Sequence, residues 1–168
     1  MTRDDPARVL HLPTGEIVTI LASGPDDGAG VLEVEALLPP GLGGPPPHRH
    51  RDQTETFTVH EGRLRVRAGG RTRVLVPGES VVVPPTTVHA FANPFDEPAR
   101  IRVTEDPAGP LEEQFRALAR GGRVPPLGEL AAVNVRHGLP FALHGLPDGL
   151  QRPAWRLLAW LHHHARLP

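Results

Sequence analysis

The chain has 168 residues, enough for one domain or for one domain with an appendage. Hydrophobic residues make up 39%, sufficient for a core, and a net charge of -1 gives no general pull toward nucleic acid or membrane. All 18 basic residues are arginine, and cysteine and tyrosine are absent. That composition excludes lysine Schiff-base chemistry, disulfides, thiolate nucleophiles or ligands, and a phenolic acid or base. Met1–Asp5 lacks the apolar stretch of a signal peptide, and no apolar run approaches the roughly 20 residues that span a bilayer. A cytoplasmic location is expected, with no nucleic-acid partner and no membrane association.

In chain order, short β-rich runs occupy Glu16–Ala22, Val31–Leu38, Thr54–His60, Arg63–Ala68, Arg71–Val76, Ser80–Val83, Val88–Ala92 and Arg100–Thr104. Several alternate apolar with polar residues, the period of half-buried strands. Gly69-Gly70 predicts a tight hairpin and Pro77-Gly78-Glu79 another turn. About eight short strands joined this way predict an all-β antiparallel barrel or jelly roll. After Asp106–Pro110 the pattern changes. Leu111–Arg120 sets Leu111, Phe115 and Leu118 on one helical face, with Glu112 and Glu113 in the first turn and Gly121 as a C-cap. Leu127–His137 reads as a second helix. Pro153–Leu167 reads as a third, with Ala154, Leu157, Leu158, Leu161 and Ala165 as its apolar stripe. The organisation expected is a barrel over residues 1–109 and a helical extension over 110–168, packing on the barrel or on a partner subunit.

Two segments carry the chemistry. The first, H-x-H-x4-E-x6-G, runs through His48, His50, Glu55 and Gly62. The second, G-x5-P-x-T-x2-H-x3-N, runs through Gly78, Pro84, Thr86, His89 and Asn93. In extended chain His48 and His50 share a face, and Glu55 shares one with Phe57 and Val59, which turns it inward. A narrow barrel brings such strands to one interior point. The expected metal ligands are His48, His50, Glu55 and His89. Three imidazoles and one carboxylate suit one divalent transition metal, and Fe, Mn, Ni, Co and Zn all remain open. Gln53 precedes Glu55 by two and can face either substrate or solvent. With Phe57, Val59, Leu64, Val66 and Phe91 it forms the expected substrate pocket. His11, His60, His137, His144 and His162–His164 are expected to be surface or satisfied histidines. Arg63, Arg65, Arg67, Arg71, Arg73, Arg100 and Arg102 alternate with apolar or small residues and are expected to face outward, in ion pairs or solvent.

The two segments resemble the signature motifs of the cupin superfamily, in which glycine is usual where Thr86 stands. The stretch from His48 to Leu64 looks like small bacterial single-domain cupins, and Leu150-Gln151-Arg152 before an apolar helix resembles the tail some of them carry. The resemblance implies the cupin double-stranded β-helix, or jelly-roll barrel, with frequent dimerisation, here a homodimer. It also implies one metal in the barrel mouth. Its activities are too varied for the fold to fix a reaction. Three readings follow. One is a dioxygenase-type oxidoreductase of the quercetinase kind, acting on a small molecule that chelates through oxygen, with Glu55 as base. Another is a non-redox isomerase or polyketide cyclase. The third is a small-ligand-binding or sensory barrel without turnover.

Overall fold

The β-rich runs become two antiparallel sheets in the computed structural model, which describes residues 8–23, 30–121 and 126–165. Met1–Asp5 and the expected helix end at Arg166 and Leu167 lie outside those residues. The strands are β1 (Val9–His11), β2 (Ile17–Ala22), β3 (Leu32–Leu38), β4 (His48–His50), β5 (Thr54–Glu61), β6 (Leu64–Ala68), β7 (Arg71–Leu75), β8 (Ser80–Val83), β9 (His89–Ala92), β10 (Ala99–Asp106) and β11 (Phe141–Leu143). The helices are α1 (Leu111–Arg120), α2 (Leu127–Arg136) and α3 (Asp148–His164). One sheet has the order β1-β2-β3-β10-β5-β8, the other β11-β4-β9-β6-β7.

Alternation along β5 explains the core. Thr54, Thr56 and Thr58 are half-buried, whereas Glu55, Phe57 and Val59 between them are buried. Register stacks those inward residues into layers. Glu55 lies opposite Glu105 and Val83, Phe57 opposite Val103 and Val81, and Val59 opposite Ile101. On the other sheet Val66 faces Phe91, and Ala68 faces His89. Phe57, Val59, Leu64, Val66, Ile101 and Val103 belong to one hydrophobic cluster. Each such side chain contributes about 1.5–3 kcal/mol by leaving water.

The motif residues outside the ligand set hold the backbone. At Gly62 (φ 71°) a Cβ would stand 2.3 Å from the Pro98 carbonyl oxygen, so no side chain fits. Asn93 is fully buried and donates to the carbonyls of Leu38, Pro39 and Glu97, tying β3 to the turn before β10.

The extension departs from expectation in three respects. It is not wholly helical: β11 pairs with β4, setting Phe141 opposite His50 and Leu143 opposite His48. Asn134 on α2 holds β11 in place, donating to the Phe141 carbonyl and accepting from its N–H at 3.1 Å each. Gln151 does so from α3, accepting from Leu143 N–H and donating to the carbonyls of Leu143 and Leu146. The same contacts fix the first turn of α3 ahead of Pro153, which stands inside the helix rather than at its start. There the ring removes one backbone donor close to the helix N-terminus. The buried face of α3 is also rotated. Ala159 packs with Ala131 and Ala132 of α2, flanked by Trp155 and Leu158. Leu157 and Leu161, expected to be buried, are 57% and 47% exposed. The small alanines of α2 admit a close approach that the leucine stripe would block.

Candidate metal centre

Local geometry assembles the four expected ligands. β4 turns His48 and His50 to the same side with Arg49 between them, and His48 pairs in register with His89 on the neighbouring β9. Glu55 enters from the opposite sheet. All four are buried, and their ligand atoms lie within 4.8 Å of one another. Ring centroids of His48 and His89 are 4.3 Å apart, and those of His48 and His50 are 5.1 Å apart. The side-chain nitrogens that face away are occupied. His48 Nδ1 lies 2.9 Å from the Pro46 carbonyl and His89 Nδ1 lies 2.9 Å from the Thr87 carbonyl. The inward atoms are His89 Nε2, 2.8 Å from Glu55 Oε2, and His50 Nε2, 3.8 Å from the same oxygen.

Burial of this many polar atoms is costly unless something satisfies them. His50 Nε2, His89 Nε2 and Glu55 Oε2 are buried, and apart from the close His89–Glu55 contact none has a hydrogen-bond partner. Three such atoms converging on one point could hold a divalent transition metal, so the residues fit the ion that the motifs imply. Electrostatics agree. Burial, with the neighbouring His89, lowers His48 to about 4. Burial, with His48 and His89, lowers His50 to about 3. Both rings are therefore neutral at physiological pH, the form that ligates metals. For His89 burial also pushes downward, but contact with Glu55 and the Thr87 carbonyl outweighs it and the net shift is upward.

The rest of the expected site is mostly core. Phe57, Val59, Leu64 and Val66 are packed in the core cluster and form the barrel's floor, in layers beneath the ligands rather than the wall of an open cavity. Phe91 is only partly buried and its ring stands 5.2 Å from Phe57. Gln53 faces inward, not into solvent. It is 2% exposed, packs against Gly109, and its amide has no hydrogen-bond partner.

The seven arginines do not share one face. Arg100 and Arg102 lie on the six-stranded sheet, paired with Glu35, Glu61 and Glu33. Arg65 and Arg67 face out from the other sheet. Register sets Arg73 opposite Val66 and Arg71 opposite Ala68, on the concave side. Because β7 is an edge strand both stay exposed, outside the buried cluster. Among the remaining histidines, His60 and His144 are exposed and His137 bonds Glu113 at 2.9 Å.

Sequence reasoning missed two residues at the site. Glu105 is fully buried beside Glu55, with Oε1 3.2 Å from His50 Nδ1. Burial, then the charge of Glu55, holds its carboxyl well above the usual carboxylate range. Continuing the Ile101–Val103 alternation by one step would have placed it inward. Phe141, on β11, stacks 5.0 Å from the His48 ring. Thr86 adds a further detail. Its φ of 65° is left-handed, which explains the usual glycine there, and its N–H reaches the His50 carbonyl at 2.7 Å.

Comparison with known proteins agrees with this geometry. Residues 34–104 match the family model described as a cupin domain. The chain carries a cupin domain. An RmlC-like cupin from Shewanella frigidimarina superposes with a TM-score of 0.54 at 20% identity, over 64% of this chain and 90% of that one. A cupin 2 conserved barrel domain protein from Salinispora arenicola gives 0.50 at 22% identity, over 69% and 95%. These similarities concern the fold. One curated relative, named Oxidoreductase OpS7, from Beauveria bassiana (strain ARSEF 2860), is 34% identical over 67 residues. The match spans 36% of this cupin and 22% of that relative's length. Among the described residues no helix is long and apolar enough to cross a membrane.

Proposed function

We propose that this cupin is a metal-dependent oxidoreductase of the dioxygenase kind, acting as a homodimer on a small organic molecule that chelates through oxygen. The observation that carries the reading is the buried cluster of His48, His50, Glu55 and His89, whose ligand atoms lie within 4.8 Å of one another. A bound Fe, Mn, Ni, Co or Zn ion would supply Lewis acidity, and the redox-active ones among these electron transfer as well. The protein's own residues do the rest. His48 and His50, held neutral, offer lone pairs at neutral pH. Glu55 is the carboxylate placed to accept a proton from a substrate hydroxyl or an acidic C–H. Phe91 and Gln53 supply an apolar surface and an unpaired amide near the substrate, with Phe57 and Val66 in the layer below and Val59 and Leu64 deeper. That mixture suits a planar, largely apolar molecule with adjacent oxygens. The partial likeness to a protein named an oxidoreductase supports the redox version.

The test begins with metal analysis of protein purified without added metal, beside His50→Ala. The wild type should carry about one metal per chain and the variant almost none, with unchanged far-UV circular dichroism. Oxygen uptake is then followed on flavonol and β-diketone substrates. Metal-dependent uptake supports the proposal. Turnover that persists without oxygen would instead favour the isomerase or cyclase reading. A wild type that takes up no metal when it is offered would overturn the metal-based readings together.

A further inference from the structure

The three ligand histidines are not held alike. His48 and His89 each give Nδ1 to a backbone carbonyl two residues earlier, at 2.9 Å. His50 has a carboxyl instead: Glu105 Oε1, 3.2 Å from its Nδ1. Glu105 is 0% exposed, and neither of its oxygens has a hydrogen-bond partner. It continues the inward face of Ile101 and Val103 in β10, where an apolar side chain would fill the core at far lower desolvation cost. A buried carboxyl at a position that packing would fill with leucine calls for a polar role.

We propose that Glu105 is a positioning residue, receiving the Nδ1 proton of His50 and so fixing that ring with Nε2 toward Glu55 and the metal. This rests on the metal-site reading above. A neutral imidazole has one N–H and one acceptor nitrogen, and the carbonyl oxygen of a carboxyl accepts whether or not the group is ionised. Glu105 at Nδ1 therefore assigns the proton to that side and leaves the Nε2 lone pair free. The His50–Glu105 distance is already that of a hydrogen bond, although the alignment is not, and that alignment is what the proposal adds. A carboxylate behind a metal-binding imidazole raises its basicity and fixes its tautomer.

The test uses two readouts on the full chain. Long-range 15N–1H correlation of the metal-free protein reads the tautomer of each histidine, with His48 and His89 as internal references. Competition against a chelator reads Co(II) affinity. Wild-type His50 should carry its proton on Nδ1. In Glu105→Leu the His50 ring should lose that preference while His48 and His89 keep theirs. Co(II) should then bind roughly 10–100-fold more weakly. Glu105→Gln, which retains an acceptor oxygen, should recover most of both. Wild-type His50 protonated on Nε2 would overturn the assignment, and needs no variant to be folded. So would Glu105→Leu with an unchanged tautomer and Co(II) affinity within twofold of wild type. If the wild type binds no Co(II), the metal reading fails, and the tautomer alone decides the role of Glu105.

Discussion

Thr86→Gly should make this protein more stable. Thr86 is exposed, and its φ of 65° places a β-branched residue in the left-handed region. Strain of that kind costs about 1–3 kcal/mol. Glycine removes it but gives the unfolded chain more freedom, which costs about 0.4–1 kcal/mol. The net expectation is a gain of about 1 kcal/mol, or a rise in Tm of roughly 2–4 °C for a chain of this size. The bond that matters locally, Thr86 N–H to the His50 carbonyl, is made by the backbone and survives the substitution. Metal affinity should therefore stay within about twofold. Thr86→Ala, which keeps the strained φ but loses the branch, should fall between the two proteins. Urea unfolding of the metal-free forms measures all three. A Thr86→Gly variant less stable than wild type by about 0.5 kcal/mol or more would refute the strain argument and give the threonine side chain a role of its own.

The metal-free protein should lose stability as pH falls from about 6.5 toward 4. Over that range unfolded His48 and His50 take up protons that the folded rings, lowered to about 4 and about 3, refuse. Each costs about 1.4 kcal/mol per pH unit, so near pH 5 the pair removes about 4 kcal/mol. His89, shifted upward, has its contribution fully present below 6.5 and loses it only as pH rises, so it does not oppose the slope, whereas Glu105, also raised, holds a proton that its unfolded form gives up and so makes the slope shallower without reversing it. Urea melts of His50→Gln should show a shallower slope than wild type, and equal slopes would contradict the assignment. On α3, Leu150, Leu157 and Leu161 leave an exposed apolar side, which suits a second copy of the chain. Leu157→Glu with Leu161→Glu should turn a dimer into a monomer in analytical ultracentrifugation without loss of helix; a monomeric wild type would end that idea.

The ligands were legible because motif spacing specifies all four, and strand alternation independently turns Glu55 inward with Phe57 and Val59. Strand faces were legible for the same reason wherever one side meets the core, as in β5. Glu105 was not, because its run was ended at Thr104 just before Asp106-Pro107, and a charged residue does not announce a buried position. The phase of α3 was lost in a different way. Trp155, Leu157, Leu158, Ala159, Trp160 and Leu161 support two overlapping stripes, and the choice between them depends on what α2 presents. Three residues at Phe141–Leu143 are too few for a period to show, so β11 exists only through its pairing with β4.

That short pairing decides where the protein can be cut. The cupin match ends at residue 104, and the change of composition near residue 110 suggests a boundary there. A fragment stopped at that boundary would keep every ligand yet leave β4, the strand carrying His48 and His50, as a naked edge with the Phe141 ring stripped from the imidazoles. The smallest unit that can unfold and refold with its metal site whole must then reach Gln151, whose amide bonds both the N–H and the carbonyl of Leu143. Whatever grips α2 or α3 from outside thereby has a mechanical hold, through three residues, on the metal ligands.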